Sequence, residues 1–249
     1  MRVVPVLLGW QDPGSAFSAA MQLAALGAVV AYFWKDISRV ATGGLSSVRR
    51  SDYSGPDFRF ALGIVIATIP IGIAGLAVSS MLNACNSPLR GLLVIGISSV
   101  VMAILLAAAE LSCRHRRNIT EMRLRDALIV GLAQVGALIP GVSRSGSTLT
   151  AALFLNFKRE EAARFSFLLG LPAIALAGFK ELWVLYHAHI TTQAWSLLLF
   201  GLIVASGSAF LAIWGLMHIL ERFSAWPFVI YRAALGTFLI VAIYTGLLA

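Results

Sequence analysis

An all-α polytopic membrane protein is the fold class this sequence predicts, and three observations carry the prediction. Hydrophobic residues make up 59% of the 249-residue chain and charged ones only 12%, whereas soluble domains hold roughly 45–50% and 25%. Mean hydropathy is +0.87. Six stretches approach the roughly 20 mostly apolar residues that a transmembrane helix requires. Lys and Arg gather in alternate connecting segments, the asymmetry that marks cytoplasmic loops.

The predicted spans lie near 16-34, 60-80, 91-111, 165-186, 196-220 and 228-248. In the first, Ala20, Ala24 and Ala28 recur at four-residue spacing, as do Gly201, Ala205 and Ala209 in the fifth. Small residues so spaced let helices approach closely, although lipid-facing alanines would look the same. The segment 127-155 breaks the pattern: a short apolar run from Ala127 to Ile139, the interruption Pro140-Thr148, then a second short run, Leu149 to Phe157. Two half-length helices joined by a Gly/Ser/Pro turn suggest a re-entrant hairpin, since irregular backbone at membrane depth survives only inside protein or beside a wet cavity. A single Pro-kinked span is the alternative.

Charge favours the hairpin. If it returns to its own side, Lys35, Arg39, Arg49, Arg50 and Arg59 fall on one face with Arg114, Arg116, Arg117, Arg123 and Arg125. Lys158, Arg159, Arg164 and Arg222 join them, leaving Arg90 opposite. Basic loops are cytoplasmic by the positive-inside rule, so both termini are expected outside. The net charge of +8 then suits anionic lipid headgroups, and nucleic acid is not expected as a partner. Cys85 and Cys113 fall at opposite membrane edges, too far apart to pair. We read 1-249 as one integral membrane domain, with a first half 1-126 of three spans and a second half 127-249 of hairpin plus three spans. Halves of odd span count lie in opposite orientations, the arrangement of inverted-topology repeats with a site at their junction.

The interruption reads Pro140-Gly141-Val142-Ser143-Arg144-Ser145-Gly146-Ser147-Thr148. An intramembrane arginine costs about 2.5–3.5 kcal/mol even on the mild insertion scale, and so marks a functional site. Gly141 and Gly146 permit close backbone approach. Amides at the start of the following half-helix form an anion-binding concavity, and Arg144 supplies a planar fork for two phosphate oxygens. Ser143, Ser145, Ser147 and Thr148 are candidate hydroxyl donors, or else they cap the half-helix. A phosphate ester or anhydride is the ligand this set fits.

Gln134 followed by Leu138-Ile139-Pro140-Gly141-Val142-Ser143-Arg144-Ser145-Gly146-Ser147-Thr148 resembles the second signature of the bacitracin-resistance type undecaprenyl-diphosphate phosphatases. Similarity continues through Gln22-Leu23, Tyr32-Phe33-Trp34, Thr68-Ile69-Pro70, Ala108-Ala109-Glu110, Phe165-Ser166-Phe167-Leu168-Leu169, Pro172, Tyr231-Arg232 and Gly236, covering the chain from about Leu8 onward. The resemblance implies a bacterial inner-membrane enzyme that removes the terminal phosphate of a C55 polyprenyl diphosphate, recycling the carrier for peptidoglycan synthesis and giving bacitracin resistance. It implies catalytic roles for Ser143, Arg144 and Thr148, and substrate contacts from Gly141, Ser145, Gly146, Ser147 and Gln134. It also implies a divalent cation, Mg or Ca, held near an acidic motif, and a homodimer is a further expectation.

The family's first signature, a Glu/Gln-x-x-x-Glu pair followed by Pro-x-Ser-Ser-Thr-Gly-His on a first hairpin, is missing. The glutamates are Glu110, Glu121, Glu160, Glu161, Glu181 and Glu221, and Asp12 is the only carboxylate ahead of the first span. Either Met1 lies inside a longer reading frame, or the chain is an N-terminally truncated homologue without hydrolytic power. His115, His187, His189 and His218 are expected to be structural or solvated, and Glu110 and Glu181 interfacial. A polyprenyl-phosphate flippase or anion carrier that binds without cleaving is the rival function.

Overall fold

A computed structural model describes residues 14–53, 55–83, 91–187 and 192–246. Asp12, Cys85, Arg90 and His189 lie outside the described residues, as does the side chain of Glu181. The helices are α1 (Gly14–Tyr32), α2 (Trp34–Arg50), α3 (Pro56–Asn83), α4 (Leu92–Ser112), α5 (Leu124–Val135), α6 (Arg144–Phe154), α7 (Arg159–His187), α8 (Thr192–Arg222) and α9 (Trp226–Tyr244). Short 3-10 turns cover Ile119–Glu121 and Gly136–Leu138.

Four helical stretches among the described residues are long and apolar enough to cross a membrane: Pro56–Val78, Leu92–Ser112, Leu198–Arg222 and Trp226–Tyr244. Their outer flanks are bare hydrocarbon, with Leu76 81% and Leu111 74% exposed. Apolar surface on that scale is untenable in water and ordinary in lipid. The protein is a multi-pass membrane protein.

The segment expected to be the first basic loop is largely helical. Backbone bonds run on from α1 through the junction, Phe33 N–H to the Val29 carbonyl and Ile37 N–H to the Phe33 carbonyl, both 2.9 Å. No proline interrupts before Pro56, so α2 propagates at little cost. Its apolar residues recur at helical spacing, Ile37, Val40, Gly44 and Val48, among Lys35, Arg39, Arg49 and Arg50, the pattern of a helix lying at an interface.

Contacts divide the chain into two units, 1–38 with 170–218 and 39–169 with 219–249. In the first, small residues bring α1 and α8 together: Ala24 and Ala28 are each 2% exposed, and the Ser206 hydroxyl donates to the Ala24 carbonyl at 3.2 Å. Close approach is thus the correct reading of the alanine spacing in α1.

The second unit holds the hairpin. α5 begins with Arg123 N–H donating 2.9 Å to the Asp126 carboxylate, an acidic cap at a helix start. It packs on α3 at Gly131, where a Cβ would lie 2.5 Å from the Ala67 carbonyl oxygen. α4 and α9 cross with equal intimacy, Gly96 against Gly236. After the turn, α6 runs back to Leu155, Asn156 and Phe157. There the chain pairs with the segment that leaves α4: Arg116 and Arg117 N–H donate to the Asn156 carbonyl at 3.2 and 3.0 Å, and Lys158 N–H to the Arg117 carbonyl at 3.0 Å. The Arg117 guanidinium donates to the Leu155 carbonyl, the Glu121 carbonyl and the Asp126 carboxylate, and stacks over Phe157 at 4.5 Å. One side chain therefore holds both the entry and the exit of 124–157, and the hairpin closes on itself as the sequence predicts.

Candidate active site

The turn between α5 and α6 depends on glycine at its start. Gly141 has φ +94, and a Cβ there would lie 2.7 Å from both Cα and the carbonyl oxygen of Ile95, in the first turn of α4. Left-handed backbone and contact with another backbone both require glycine. Ser143 follows at φ 65 and caps α6, its hydroxyl oxygen accepting from Gly146 N–H at 3.3 Å. Ser147 N–H closes the turn onto the Ser143 carbonyl at 3.0 Å. A serine in the left-handed region is uncommon, and such strain tends to mark functional positions.

Arg144 opens the helix, directly after this exposed serine. The sequence reading has Ser147 and Thr148 as donors to a ligand, but the structure turns both inward. The Ser147 hydroxyl donates to the Arg144 carbonyl at 2.9 Å, and that of Thr148 to the Arg144 and Ser145 carbonyls at 3.0 and 3.2 Å. Both residues are buried. Their protons brace the first turn of α6, the common behaviour of Ser and Thr inside an apolar helix. Gln134, expected to touch substrate, is fully buried near the end of α5, and neither amide atom has a hydrogen-bond partner among the described residues.

A second guanidinium reaches the turn, and the sequence reading did not assign it there. Arg232, from α9, donates to the Gly141 carbonyl at 2.7 Å and the Val142 carbonyl at 3.0 Å. Its Nη1 would lie 2.9 Å from a Cβ on Gly146, so glycine is what admits it. The signal was available: Arg232 is the only charged residue of Trp226–Tyr244, and an intramembrane charge is a site candidate by default.

At the far end of the hairpin lies a different cluster. Glu110, read from sequence as an interfacial carboxylate, is buried, and Arg159 Nε donates to it at 2.7 Å. The pairing compensates a charge that could not be buried alone. His115 Nε2 stands 3.9 Å from the other oxygen. Burial, reinforced by the charge of Arg159, pushes the His115 pKa below its ordinary value, and burial raises that of the Cys113 thiol. Among the described residues no three His, Cys, Asp or Glu side chains form a group that could hold a metal ion.

Residues 1–238 match the family described as bacitracin resistance protein BacA. The chain belongs to this family. The whole chain aligns at 67% identity with "Undecaprenyl-diphosphatase 2" of Mesorhizobium japonicum, covering 94% of that protein. It also aligns in full with the "Undecaprenyl-diphosphatase" of Synechococcus elongatus, 47% identical over 86% of the relative. That of Trichodesmium erythraeum is 42% identical over 80% of its length. Coverage of this extent lends no support to the expected N-terminal truncation relative to the BacA family.

Proposed function

We propose that this protein hydrolyses undecaprenyl diphosphate to undecaprenyl phosphate and inorganic phosphate in the bacterial inner membrane, at the turn Gly141–Gly146. The observation that carries the reading is a glycine-bearing turn, opening a helix, at which Arg144 and Arg232 both arrive. The BacA family membership and the names of the relatives supply the reaction.

The chemistry follows from charge. A water oxygen bonds to the terminal phosphorus while the bridging P–O bond breaks; the electron pair leaves with the lipid phosphate, and the proton shed by the water passes to a phosphate oxygen. Charge spreads over the transferred phosphoryl oxygens, so catalysis is chiefly positioning and electrostatic stabilisation. Arg144 grips two of those oxygens with its fork, and the α6 amides with the helix dipole add to it. Ser143, exposed and capping, and Ser145 beside it contact the phosphate. Gly141 and Gly146 leave room for the ligand and for Arg232. Thr148 and Ser147 hold the Arg144 backbone, and Arg232 holds the turn. Gln134 acts from beneath, through packing, rather than by touching substrate.

The divalent cation implied by the resemblance does not fit the described residues: Glu110 is engaged by Arg159 and His115 stands with it at the other end of the hairpin. If the basic loops are cytoplasmic, contact of Gly141 with the first turn of α4 supports a position for the turn in the outer half of the membrane. The test is phosphate release from a C55 polyprenyl diphosphate by the purified protein in detergent. Release is expected; binding of the lipid without release would favour a carrier instead.

A further inference from the structure

A pocket of about 790 Å³ opens at the opposite, basic end of the second unit, between the start of α3 and the segment leading into α5. Arg59, Arg123 and Arg125 line it, and none of their guanidinium groups has an ion-pair partner among the described residues. Nearby acids are already engaged: Asp57 pairs with Arg39 and Asp126 with Arg117. Glu121 is the one carboxylate on the wall, which leaves the pocket with a surplus of positive charge. The Thr120 hydroxyl adds a donor.

The remaining wall is apolar. Tyr53 and Phe58 lean together with ring centroids 5.1 Å apart, and Leu62, Leu124 and buried Met122 complete it. Leu124 is 42% exposed, and Val65, three residues beyond Leu62 on α3, is 59% exposed. A cup that joins three guanidinium groups to an apolar, aromatic-bearing wall suits an anionic amphiphile better than a free ion.

We propose that this pocket holds the phosphate headgroup of an anionic phospholipid of the cytoplasmic leaflet. The headgroup oxygens accept from the three guanidinium groups, and one acyl chain follows the Leu62 and Val65 side of α3. The inference uses the membrane topology and not the hydrolytic reading, since the signature turn lies at the other end of the hairpin.

Native mass spectrometry of the full chain in detergent, titrated with cardiolipin, phosphatidylcholine or inorganic phosphate, tests it. Cardiolipin is expected to be retained over phosphatidylcholine, with retention falling about fivefold for each arginine removed, in Arg125→Gln and further in Arg59→Gln/Arg123→Gln/Arg125→Gln. The equally discharged Arg49→Gln/Arg50→Gln/Arg114→Gln, at residues that do not line the pocket, should retain it. Equal retention of phosphatidylcholine, or equal loss in both triple variants, would overturn the proposal. Displacement of cardiolipin by inorganic phosphate would reassign the pocket to the free anion and overturn the lipid assignment.

Discussion

Replacing Arg232 by methionine keeps the apolar stem and removes both hydrogen bonds to the turn, those to the Gly141 and Val142 carbonyls at 2.7 and 3.0 Å. Hydrogen bonds from a charged donor contribute roughly 1.5–3 kcal/mol each, so the pair could reach ~6 kcal/mol. The side chain is only half-buried, and water recovers part of that for the exposed carbonyls. We expect about 3 kcal/mol of lost positioning, or roughly 100-fold in kcat/KM at ~1.4 kcal/mol per factor of ten. Both bonds come from the one nitrogen Nη2, so Arg232→Lys, whose ammonium carries three protons on a shorter stem, should recover part of the loss. The assay is phosphate release in detergent, with melting temperature as a check on folding. The loss should appear in kcat, since the turn is misplaced in the transition state. Full activity in a folded Arg232→Met protein would refute the reasoning that Arg232 holds the turn.

Arg159→Met strands the buried Glu110 carboxylate and should destabilise the protein by about 3 kcal/mol, while Glu110→Gln/Arg159→Met should recover much of this. Thermal unfolding in detergent measures both, and an unchanged melting temperature in the single variant would contradict the pairing. His115 has a folded pKa below its ordinary value of 6.5, so the unfolded chain binds more protons as pH falls. Stability is therefore expected to decline below about pH 6.5, and His115→Gln should flatten that slope in melting curves taken at several pH values. Ser143→Cys, with Cys85 and Cys113 changed to serine, should react in intact cells with a membrane-impermeant maleimide. Labelling only after lysis would place the turn on the cytoplasmic side.

Much of this arrangement could be read in the sequence because membrane burial leaves few ways to satisfy a backbone. A dozen apolar residues from Ala127 followed by Pro140-Gly141 cannot span, and the structure has α5, the turn and α6 in that order. The return of the hairpin was legible in Lys158 and Arg159, which the positive-inside rule keeps with Arg114 to Arg125. What fixes that return, Arg117, was not, because a loop arginine looks solvated until its carbonyl partners are known. α2 was misread for a related reason: Lys35 to Arg50 is polar enough for a loop, and only the continuity of bonds through Phe33 shows it to be helical. At the candidate site, the glycines and Arg144 stand out by residue type. The inward turn of Ser147 and Thr148 does not, since a hydroxyl on a helix donates equally well to a ligand or to a carbonyl one turn back. Arg232 could have been found by treating it as Arg144 was treated, as a charge with no reason to stand among apolar residues. Glu110 was undervalued because its partner, Arg159, is distant in sequence.

The measurement that bears most directly on the account is phosphate release from C55 polyprenyl diphosphate by the wild-type chain, Arg144→Lys and Arg144→Ala, with binding of the intact lipid followed in parallel. Release is expected from the wild type, with a large loss in Arg144→Lys, where the fork is replaced by a point charge, and near abolition in Arg144→Ala. Undiminished release from Arg144→Ala would contradict the assignment of the signature turn as the place where the diphosphate is cleaved.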